Sequence, residues 1–598
     1  MGEAKKGKER RNPGSSVKQG PLLPLPITRE ECLDRGWDEV DVVLVTGDAY
    51  VDHPSFGVAL IGRLLESHGL RVAILAQPRH HGPEDFRRFG RPRLFFGITA
   101  GNLDSICSNY TGNARVRKRD VYSPNGDPYF SRGSGNRQER RRPDRATIRY
   151  AQLAREAYRA TTIVLGGIEA SLRRFVHYDY KAESFRSSVL TDSKADILVY
   201  GMGERAVLEI ASRLSQGKGL SSIPGTCVPV GRGRIQELLE SESPLILPSF
   251  EKIVSDERAY LHAEKLVERS SRMGLKGRIA QEQKGGVWVL QEPPQPPLNS
   301  SELDRLYELP FTRRVHPLFG PVPAHRMIRT SITIVRGCPG NCSFCAISRH
   351  QGPVVTWRSP DSVMREVERI AKDEGFDGVI TDLGGPTANL YGAKCSLTGA
   401  CKRHDCLYPS PCKHLSIDED LFLALLKGVK RVKGVRHCFV SSGLRMELLL
   451  RTPRLLERLV RVHMPGRIKI APEHTEDEVL RLMHKPGHGL LEDFLSFTRG
   501  LFKGTGVRPR FSAYLISSHP GCTVDHMKMA CRTLKTLGLS RVEVQDFTPT
   551  PGTLSTAMYV SGLDRDDNER PIHVPRGRKE RRLQRRIIEE CLMHGKKR

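Results

Sequence analysis

The stretch "VRGCPGNCSFCAISRHQG", Val335 to Gly352, places three of the chain's fourteen cysteines within eight residues. The spacing is C-x3-C-x2-C, with no fourth cysteine beside it. A closed zinc site would need one more ligand from elsewhere, because structural zinc takes four. An iron–sulfur cubane also binds thiolates, and three of them leave one iron open to a substrate. The incomplete set therefore favours a reactive cluster on Cys338, Cys342 and Cys345 over a zinc knuckle.

This cysteine loop stands at the start of a long series of apolar and helical segments. Six apolar segments are interpreted as strands: "SITIV" (331–335), "GVITDL" (378–383), "HCFVSS" (437–442), "RIKIA" (467–471), "FSAYLIS" (511–517) and "VEVQDF" (542–547). Helical patterns separate them, so we expect a partial (β/α)6 barrel over 326–560. Such barrels bind ligands at the carboxyl ends of their strands, where the loop begins. Gly337, Pro339 and Gly340 let its backbone wrap closely round a bulky cluster.

A second α/β series precedes the barrel. Its strand candidates are "DVVLVTGD" (41–48), "RVAILAQP" (71–78), "RLFFGIT" (93–99), "TTIVLGG" (161–167) and "ADILVYGMGE" (195–204). Several end in glycine, and "SFGVALIGRLLESHGL" between the first two has helical spacing. The pattern predicts an open parallel, Rossmann-like domain at 38–215 with a polar insertion near 107–145.

The remaining segments are predicted to carry little structure of their own. Residues 1–37 are interpreted as a flexible basic leader, and 561–598 as a basic C-terminal tail. Residues 216–325 are interpreted as a connector that contains one exposed helix, "SDERAYLHAEKLVERSS" (255–271).

Composition limits the cellular setting and the partners. The chain has no apolar run of about 18 residues, which a membrane span requires, and its charged start is not a secretory signal. We therefore expect a cytoplasmic protein with reduced thiols, used for metal binding or catalysis before disulfides. The net charge of +27 allows a nucleic-acid partner. The basic blocks at 115–120, 137–145 and 576–586 are interpreted first as solvated loops and tails, because no aromatic residues interleave them.

The cysteine motif resembles that of the radical S-adenosylmethionine (SAM) superfamily, and Phe344 before the third cysteine fits the same pattern. Four further stretches resemble the YgiQ family of radical SAM proteins: "VDVVLVTGDAYVDHPSFG", "LGGIEASLRRFVHYDY", "TDLGGPTANLYG" and "VQDFTPTPGTLSTAMY". The likeness extends over roughly 20–590. It implies a [4Fe–4S] cluster, SAM cleavage to a 5′-deoxyadenosyl radical, and an electron donor such as flavodoxin or ferredoxin.

The resemblance also implies SAM-binding residues at the strand ends. Gly384 and Gly385 match a Gly-Gly-Glu stretch near the methionyl amine, although Pro386 replaces the acidic residue. Further along, Ser441 and Arg445 are candidates for the ribose and the carboxylate of SAM. At the next strand end Glu473 is a candidate for the ribose hydroxyls. For each position, turn formation or a surface pair is the alternative.

A second group of cysteines follows the strand-two glycines. The segment "CSLTGACKRHDCLYPSPC" contains Cys395, Cys401, Cys406 and Cys412, with two histidines, His404 and His414, nearby. The gaps are wide and lack the close C-x2-C pairs of a zinc ribbon. An auxiliary iron–sulfur cluster, a zinc ion and no metal at all remain alternatives.

The N-terminal domain resembles the cobalamin-binding type that precedes many radical SAM barrels. A D-x-H-x-x-G motif would mark histidine ligation, but "VDHPSFG" places Asp52, His53 and Gly57 one position out of register. We therefore expect His53 to be a capping or core residue, and cobalamin bound without a histidine ligand stays the less favoured alternative.

The leading function is thus a radical SAM enzyme of unspecified substrate. One alternative is an RNA-modifying methyl- or methylthiotransferase, which the charge and the barrel allow. The other is a nucleic-acid-binding protein with a purely structural cluster, which the open iron position argues against.

Overall fold

The structure, a computed structural model, describes residues 22–131, 139–272, 277–397, 401, 403, 405–539, 541–567 and 570–593. Residues 1–21 of the predicted leader, the first two residues of the 137–145 basic block, His404 and residues 594–598 of the predicted tail lie outside these ranges. Within the ranges, none of the helices combines the length and the apolar character that a bilayer crossing needs.

Eleven strands form in the N-terminal half of the described chain. They are β1 Val42–Thr46, β2 Val72–Ala76, β3 Phe95–Thr99, β4 Thr162–Leu165, β5 His177–Asp179, β6 Ser184–Arg186, β7 Ile197–Val199, β8 Thr226–Val230, β9 Leu245–Ile246, β10 Ile279–Glu282 and β11 Trp288–Gln291. Nine of them make one sheet in the order β2-β1-β3-β4-β7-β8-β11-β10-β9, while β5 and β6 form a separate hairpin. The pairs from β2 to β7 are parallel, and β1 and β2 are fully buried, as expected for strands covered by helices on both faces.

The segment predicted to be a connector, residues 216–325, is instead part of the sheet. Residues 216–325 contribute β8 to β11, which extend the first sheet by four strands. Both β7–β8 and β8–β11 pair antiparallel, so the sheet is mixed rather than wholly parallel. The sequence does not predict this pairing, because the strands are short and proline-rich stretches flank them. Whether a strand joins the edge of a sheet depends on long-range contacts that a local sequence pattern does not contain.

The barrel follows with eleven further strands, and some of them are short pieces separated by a single residue. They are β12 Ser331–Thr333, β13 Val335–Arg336, β14 Thr356–Trp357, β15 Val379–Ile380, β16 Asp382–Gly384, β17 Ala393–Cys395, β18 Leu415–Ile417, β19 His437–Cys438, β20 Ile468–Glu473, β21 Phe511–Ser517 and β22 Val542–Asp546. Parallel pairs join β12 to β16, β15 to β19, and β20 through β21 to β22. All six predicted strand positions are therefore confirmed, and the fold is an open α/β domain followed by a partial (β/α) barrel.

The helices lie on both faces of the sheet and round the barrel. They are α1 Arg29–Leu33, α2 Gly57–Ser67, α3 Ser105–Asn109, α4 Ala146–Ala157, α5 Gly167–Leu172, α6 Val189–Ser193, α7 Glu204–Ser215, α8 Arg232–Glu242, α9 Phe250–Ser255, α10 Glu257–Arg272, α11 Ser300–Tyr307, α12 Pro323–Ile328, α13 Ile347–Gln351, α14 Pro360–Ala371, α15 Glu419–Val429, α16 Met446–Leu449, α17 Pro453–Arg458, α18 Asp477–Met483, α19 Gly489–Leu501, α20 Val524–Thr536, α21 Leu554–Ser561 and α22 Arg578–Met593. The helical patterns predicted between barrel strands correspond to α14, α15, α17, α19 and α20.

Three expectations from the sequence are wrong. Helix α10, predicted to be exposed, packs against α21 and buries Tyr260 and Leu261 completely or nearly so. In the predicted basic tail, α22 packs on the barrel and buries Ile588 in its core. Cys531 of α20 forms a disulfide with Cys591 of α22, although only reduced thiols are expected from the sequence. In both α10 and α22 a narrow apolar stripe is hidden among many charges, so the average polarity of the segment is a poor guide to its burial.

Candidate metal centre

The first cysteine loop, residues 337–352, is closed at its base by backbone contacts. The Cys338 N–H donates to the Gly352 carbonyl at 3.1 Å, and the Gly337 N–H donates to the Gln351 side chain at 3.1 Å. Gly337 has φ +78°, and a Cβ there would lie 1.9 Å from the carbonyl oxygen of Val354. Glycine is therefore required at this position by both the backbone conformation and the close approach.

The middle of the loop is fixed by surrounding helices. The side chain of buried Asn341 donates to the buried Glu268 carboxylate on α10. The Ser343 N–H donates to the Met483 carbonyl at 2.9 Å, and Arg565 donates to the Ser343 hydroxyl at 2.5 Å. These contacts come from distant parts of the chain and hold the loop against α10 and α18.

The three thiols lie together with one cation. Arg445, predicted as a SAM ligand, places its guanidinium 3.4 Å from the Cys342 sulfur and 3.9 Å from that of Cys338. Burial, and then the nearby Cys342 thiol, raise the pKa of Cys345 to about 12. A bare thiol there stays protonated, whereas a metal binds the thiolate and displaces the proton. The donor set, the glycine cradle and the adjacent cation all fit an anionic iron–sulfur cluster.

The glycines at the end of β16 are packed between this loop and the next strand. A Cβ on Gly385 would lie 2.3 Å from the Val335 carbonyl, and one on Gly384 would lie 2.0 Å from the Ser442 hydroxyl. The Ser442 hydroxyl donates to Asp382, which also accepts the Ser441 N–H at 2.7 Å. The structure therefore brings Gly384 and Gly385 to the cysteine loop, in a turn that leaves no room for side chains.

Two predicted SAM ligands at the barrel mouth, Ser441 and Glu473, differ in whether their side chains are already hydrogen-bonded within the protein. The Ser441 hydroxyl donates to the Thr381 carbonyl at 2.8 Å, so it already serves the junction between strands. Glu473 ends β20 with φ +68°. Burial raises the pKa of its carboxyl group, while the positive charges of Lys485 and Arg445 oppose this shift. Glu473 is thus close enough to Lys485 and Arg445 for their charges to act on its carboxyl group.

Phe344 and the residues near it form a buried aromatic and polar layer. The Phe344 ring contacts His519 edge-on at 6.4 Å between centroids. The His519 Nε2 lies 2.6 Å from the Ser555 hydroxyl, and burial lowers the pKa of His519 to about 3. Sequence reasoning missed His519 and Asp382, although both follow apolar runs at strand ends, where ligand-binding residues are expected.

The second cysteine group is brought together beside the first. The Cys412 N–H donates to the Cys406 carbonyl at 2.8 Å, and the Cys406 N–H donates to the Pro339 carbonyl at 3.3 Å. Burial, and then the charges of Cys412, Asp405, Cys401 and Cys395, raise the pKa of Cys406 to about 11. In the part of the chain that the structure describes, no group of three or more His, Cys, Asp or Glu side chains is arranged to hold one metal ion.

A cavity of about 500 Å³ lies between the two domains. It opens at the carboxyl ends of both sets of strands, and its lining includes Asp48, Asn102, Gly167, Arg336, His350 and Pro386. The Arg336 guanidinium donates to the Glu204 carboxylate at 2.6 Å across the domain boundary. His53 is not one of the residues lining this cavity; its side chain is fully buried, as in a core residue, and its Nδ1 accepts the Ser55 N–H at 3.0 Å.

Comparison with known proteins matches three stretches of the chain. Family descriptions match at residues 24–331 (Radical SAM N-terminal), 332–543 (Radical SAM superfamily) and 542–590 (a domain of unknown function). A UPF0313 protein of Geobacter sulfurreducens is 47% identical over 571 residues, which cover 94% of this chain and 92% of the relative. One from Thermotoga maritima is 46% identical over 567 residues, with 93% and 97% covered. Among solved structures, the radical SAM methyltransferase TsrM from Kitasatospora setae, with cobalamin and [4Fe-4S] cluster bound, has a TM-score of 0.48 at 14% identity, covering 86% of this chain and 76% of that one.

Proposed function

Because the chain belongs to the UPF0313, or YgiQ, family of radical SAM enzymes, we propose that Cys338, Cys342 and Cys345 bind a [4Fe–4S] cluster that reductively cleaves SAM. The observation that carries this proposal is the gathering of three free thiols against Arg445 in a glycine-constrained loop at the barrel mouth. When bound, the cluster and SAM supply the electron and the 5′-deoxyadenosyl radical. The substrate of that radical is a separate question.

The residues of the chain have distinct tasks in this proposal. The three cysteines supply thiolates and leave one coordination position open. Arg445 stabilises the negative charge of the thiolates and is close enough to pair with a carboxylate bound beside them. Glu473 accepts hydrogen bonds from ribose hydroxyls. Gly384 and Gly385 expose backbone groups to the methionyl amine in place of the missing acidic side chain.

The experiment is anaerobic reconstitution of the full chain with iron and sulfide, followed by dithionite and SAM. We expect 5′-deoxyadenosine to form, with flavodoxin or ferredoxin able to replace dithionite. Arg445→Met should weaken SAM binding by about tenfold or more, since a charged hydrogen bond contributes roughly 1.5–3 kcal/mol. Arg461→Met is the matched control, because Arg461 pairs with Glu457 on the barrel surface. No 5′-deoxyadenosine from cluster-loaded wild type would overturn the proposal.

A second candidate, modification of RNA, is favoured by the surface of α22. Arg578, Lys579, Arg582 and Arg586 are exposed on this helix. If they contact phosphates, affinity for a single-stranded RNA should fall steeply between 50 and 200 mM salt, because counterions are released on binding. Fluorescence anisotropy measures this, and absence of binding at low salt would remove the candidate.

A further inference from the structure

The second cysteine loop, residues 393–417, contains four thiols that the proposed SAM chemistry does not use. Strands β17 and β18 pair antiparallel at its base, with Cys395 opposite Leu415. A backbone hydrogen bond from Ser396 to the His414 carbonyl, at 2.9 Å, continues this hairpin. The hairpin returns the chain on itself, so cysteines that are far apart in sequence become neighbours.

Backbone contacts bring cysteines of the second loop close to one another. The Cys412 N–H donates to the Cys406 carbonyl at 2.8 Å, the Leu415 N–H donates to the Cys412 carbonyl at 3.1 Å, and Cys395 lies opposite Leu415 in the hairpin. All four cysteines are free thiols, whereas Cys531 and Cys591 of the same chain form a disulfide. The loop is therefore shaped to keep its thiols close and unpaired.

The surroundings of the loop suit an anion. The Arg403 N–H donates to the Cys401 sulfur at 3.4 Å, a type of contact that stabilises thiolate ligands and tunes clusters. Arg451 donates to the Pro411 carbonyl at 2.9 Å and lies 3.5 Å from that of Cys412. One backbone N–H thus faces a sulfur of the loop, and the Arg451 guanidinium lies at the backbone carbonyls of Pro411 and Cys412.

The two cysteine loops are in direct contact. The Cys406 N–H donates to the Pro339 carbonyl, and buried Asp405 accepts the Asn341 N–H at 2.9 Å. Leu407 lies against Gly340, where an added Cβ would be 3.4 Å from its Cδ1 atom. A centre in the second loop would therefore lie next to the first.

We propose that Cys395, Cys401, Cys406 and Cys412 bind a second iron–sulfur cluster of the [4Fe–4S] type. The gaps between these four cysteines lack the close C-x2-C pairs that are typical of a zinc ribbon. Cysteines on a cubane bind separate irons, so they need no common point. Since four thiolates complete the irons, this cluster exchanges electrons and leaves substrate binding to other groups. The proposal stands whether or not the first cluster cleaves SAM.

The test counts metal in the full-length protein after anaerobic reconstitution with ferrous iron and sulfide. Wild type should bind about eight irons per chain, as two cubanes require. Cys338→Ala/Cys342→Ala/Cys345→Ala should keep about four irons, with an electron paramagnetic resonance signal that SAM does not change. Cys395→Ser/Cys406→Ser should keep about four as well, but with a signal that SAM does change. Cys107→Ser, a half-buried free cysteine outside both loops, should remain at wild-type content.

Two results would overturn the proposal. One is a folded triple variant, checked by circular dichroism, that binds less than about one iron or binds one zinc ion instead. The other is a wild-type protein with only about four irons, all in one SAM-responsive signal. The second result needs no variant, so it decides the matter even if the triple variant does not fold.

Discussion

The two cysteine loops use the same ligand type but obtain their shape in opposite ways. The first loop is short, glycine-constrained and anchored from several sides by buried partners such as Glu268 and Met483. The second loop is wide, has its described cysteines ranging from exposed Cys395 to buried Cys412, and takes its order from a two-stranded hairpin and from the first loop itself. The first loop is thus part of the barrel, whereas the second is built on it.

This difference explains why the cysteine spacing predicts the geometry of the first loop better than that of the second. A tight spacing such as C-x3-C-x2-C fixes which backbone can form, since few residues separate the ligands. Wide gaps leave the geometry to long-range contacts, here between Asp405 and Asn341. The comparison predicts that a change in the backbone of the first loop spreads to the second, whereas a change in the second loop stays local.

The largest expected effect follows from removing one thiol from each loop. Cys342→Ala should lower the 5′-deoxyadenosine yield at least a hundredfold, because one of three thiolates is lost while no core side chain is removed. Cys406→Ala should retain SAM cleavage and lose only the second-loop iron. Iron analysis and product assay on both variants measure this, with Cys107→Ala as control. Wild-type yield from Cys342→Ala would disprove the assignment of the first cluster.

A smaller effect separates two glycines at the ends of the first loop. Gly337 and Gly352 both have positive φ, so alanine costs about 1–3 kcal/mol at either site. Only at Gly337 does the new Cβ also meet backbone, 1.9 Å from the Val354 carbonyl, whereas Gly352 has nothing within 4 Å. Gly337→Ala should therefore reduce iron content in both loops, and Gly352→Ala should reduce stability alone. Urea unfolding with iron analysis tests this; equal iron loss in the two variants would contradict it.

The hydrogen bond between Asp405 and Asn341, which joins the two loops, can be weakened by replacing one carboxylate oxygen of Asp405 with an amide nitrogen. Asp405 accepts N–H groups from Asn341 at 2.9 Å and from Leu407 at 2.7 Å. Asp405→Asn turns one acceptor into a donor that faces an N–H, at a cost of about 1–3 kcal/mol. Second-loop iron should fall while SAM cleavage persists. Asp418→Asn is the matched control, since Asp418 caps α15 and asparagine caps equally well. If the two variants were indistinguishable, the loops would not be coupled through Asp405.

Much of the barrel follows from the sequence, because its strands are locally apolar and its helices periodic. The segments at 511–517 and 542–547 form strands almost residue for residue, as β21 and β22. The contacts that define the site are long-range and leave weaker traces. Glu268 lies 73 positions from Asn341, on a helix that its charges suggested was exposed.

The roles of the candidate ligands show the same limit. Arg445 was identified by its place after a strand, but its contact with two cysteine sulfurs depends on how β19 meets the loop. Ser441 had the same local signal, yet its hydroxyl bonds the Thr381 carbonyl. Sequence position indicates that a side chain reaches the barrel mouth; packing decides which group it then meets.

The smallest effect concerns Glu473, whose carboxyl group feels the charge of Arg445, the residue beside the first-loop cysteines. Burial raises the pKa of its carboxyl group above the ordinary value of 4.5. A raised pKa means that the folded state favours the protonated form, so this contribution to stability is present at low pH and is lost as the pH rises through the folded-state pKa. Glu473→Gln keeps the neutral shape at every pH. The unfolding midpoint should therefore rise relative to wild type by about 1–2 °C at pH 8 and less at pH 5.

Exposed Glu374→Gln should show no such pH dependence. A shift that is equal at both pH values, or opposite in sign, would mean that neighbouring Lys485 and Arg445 outweigh burial and hold the carboxylate charged.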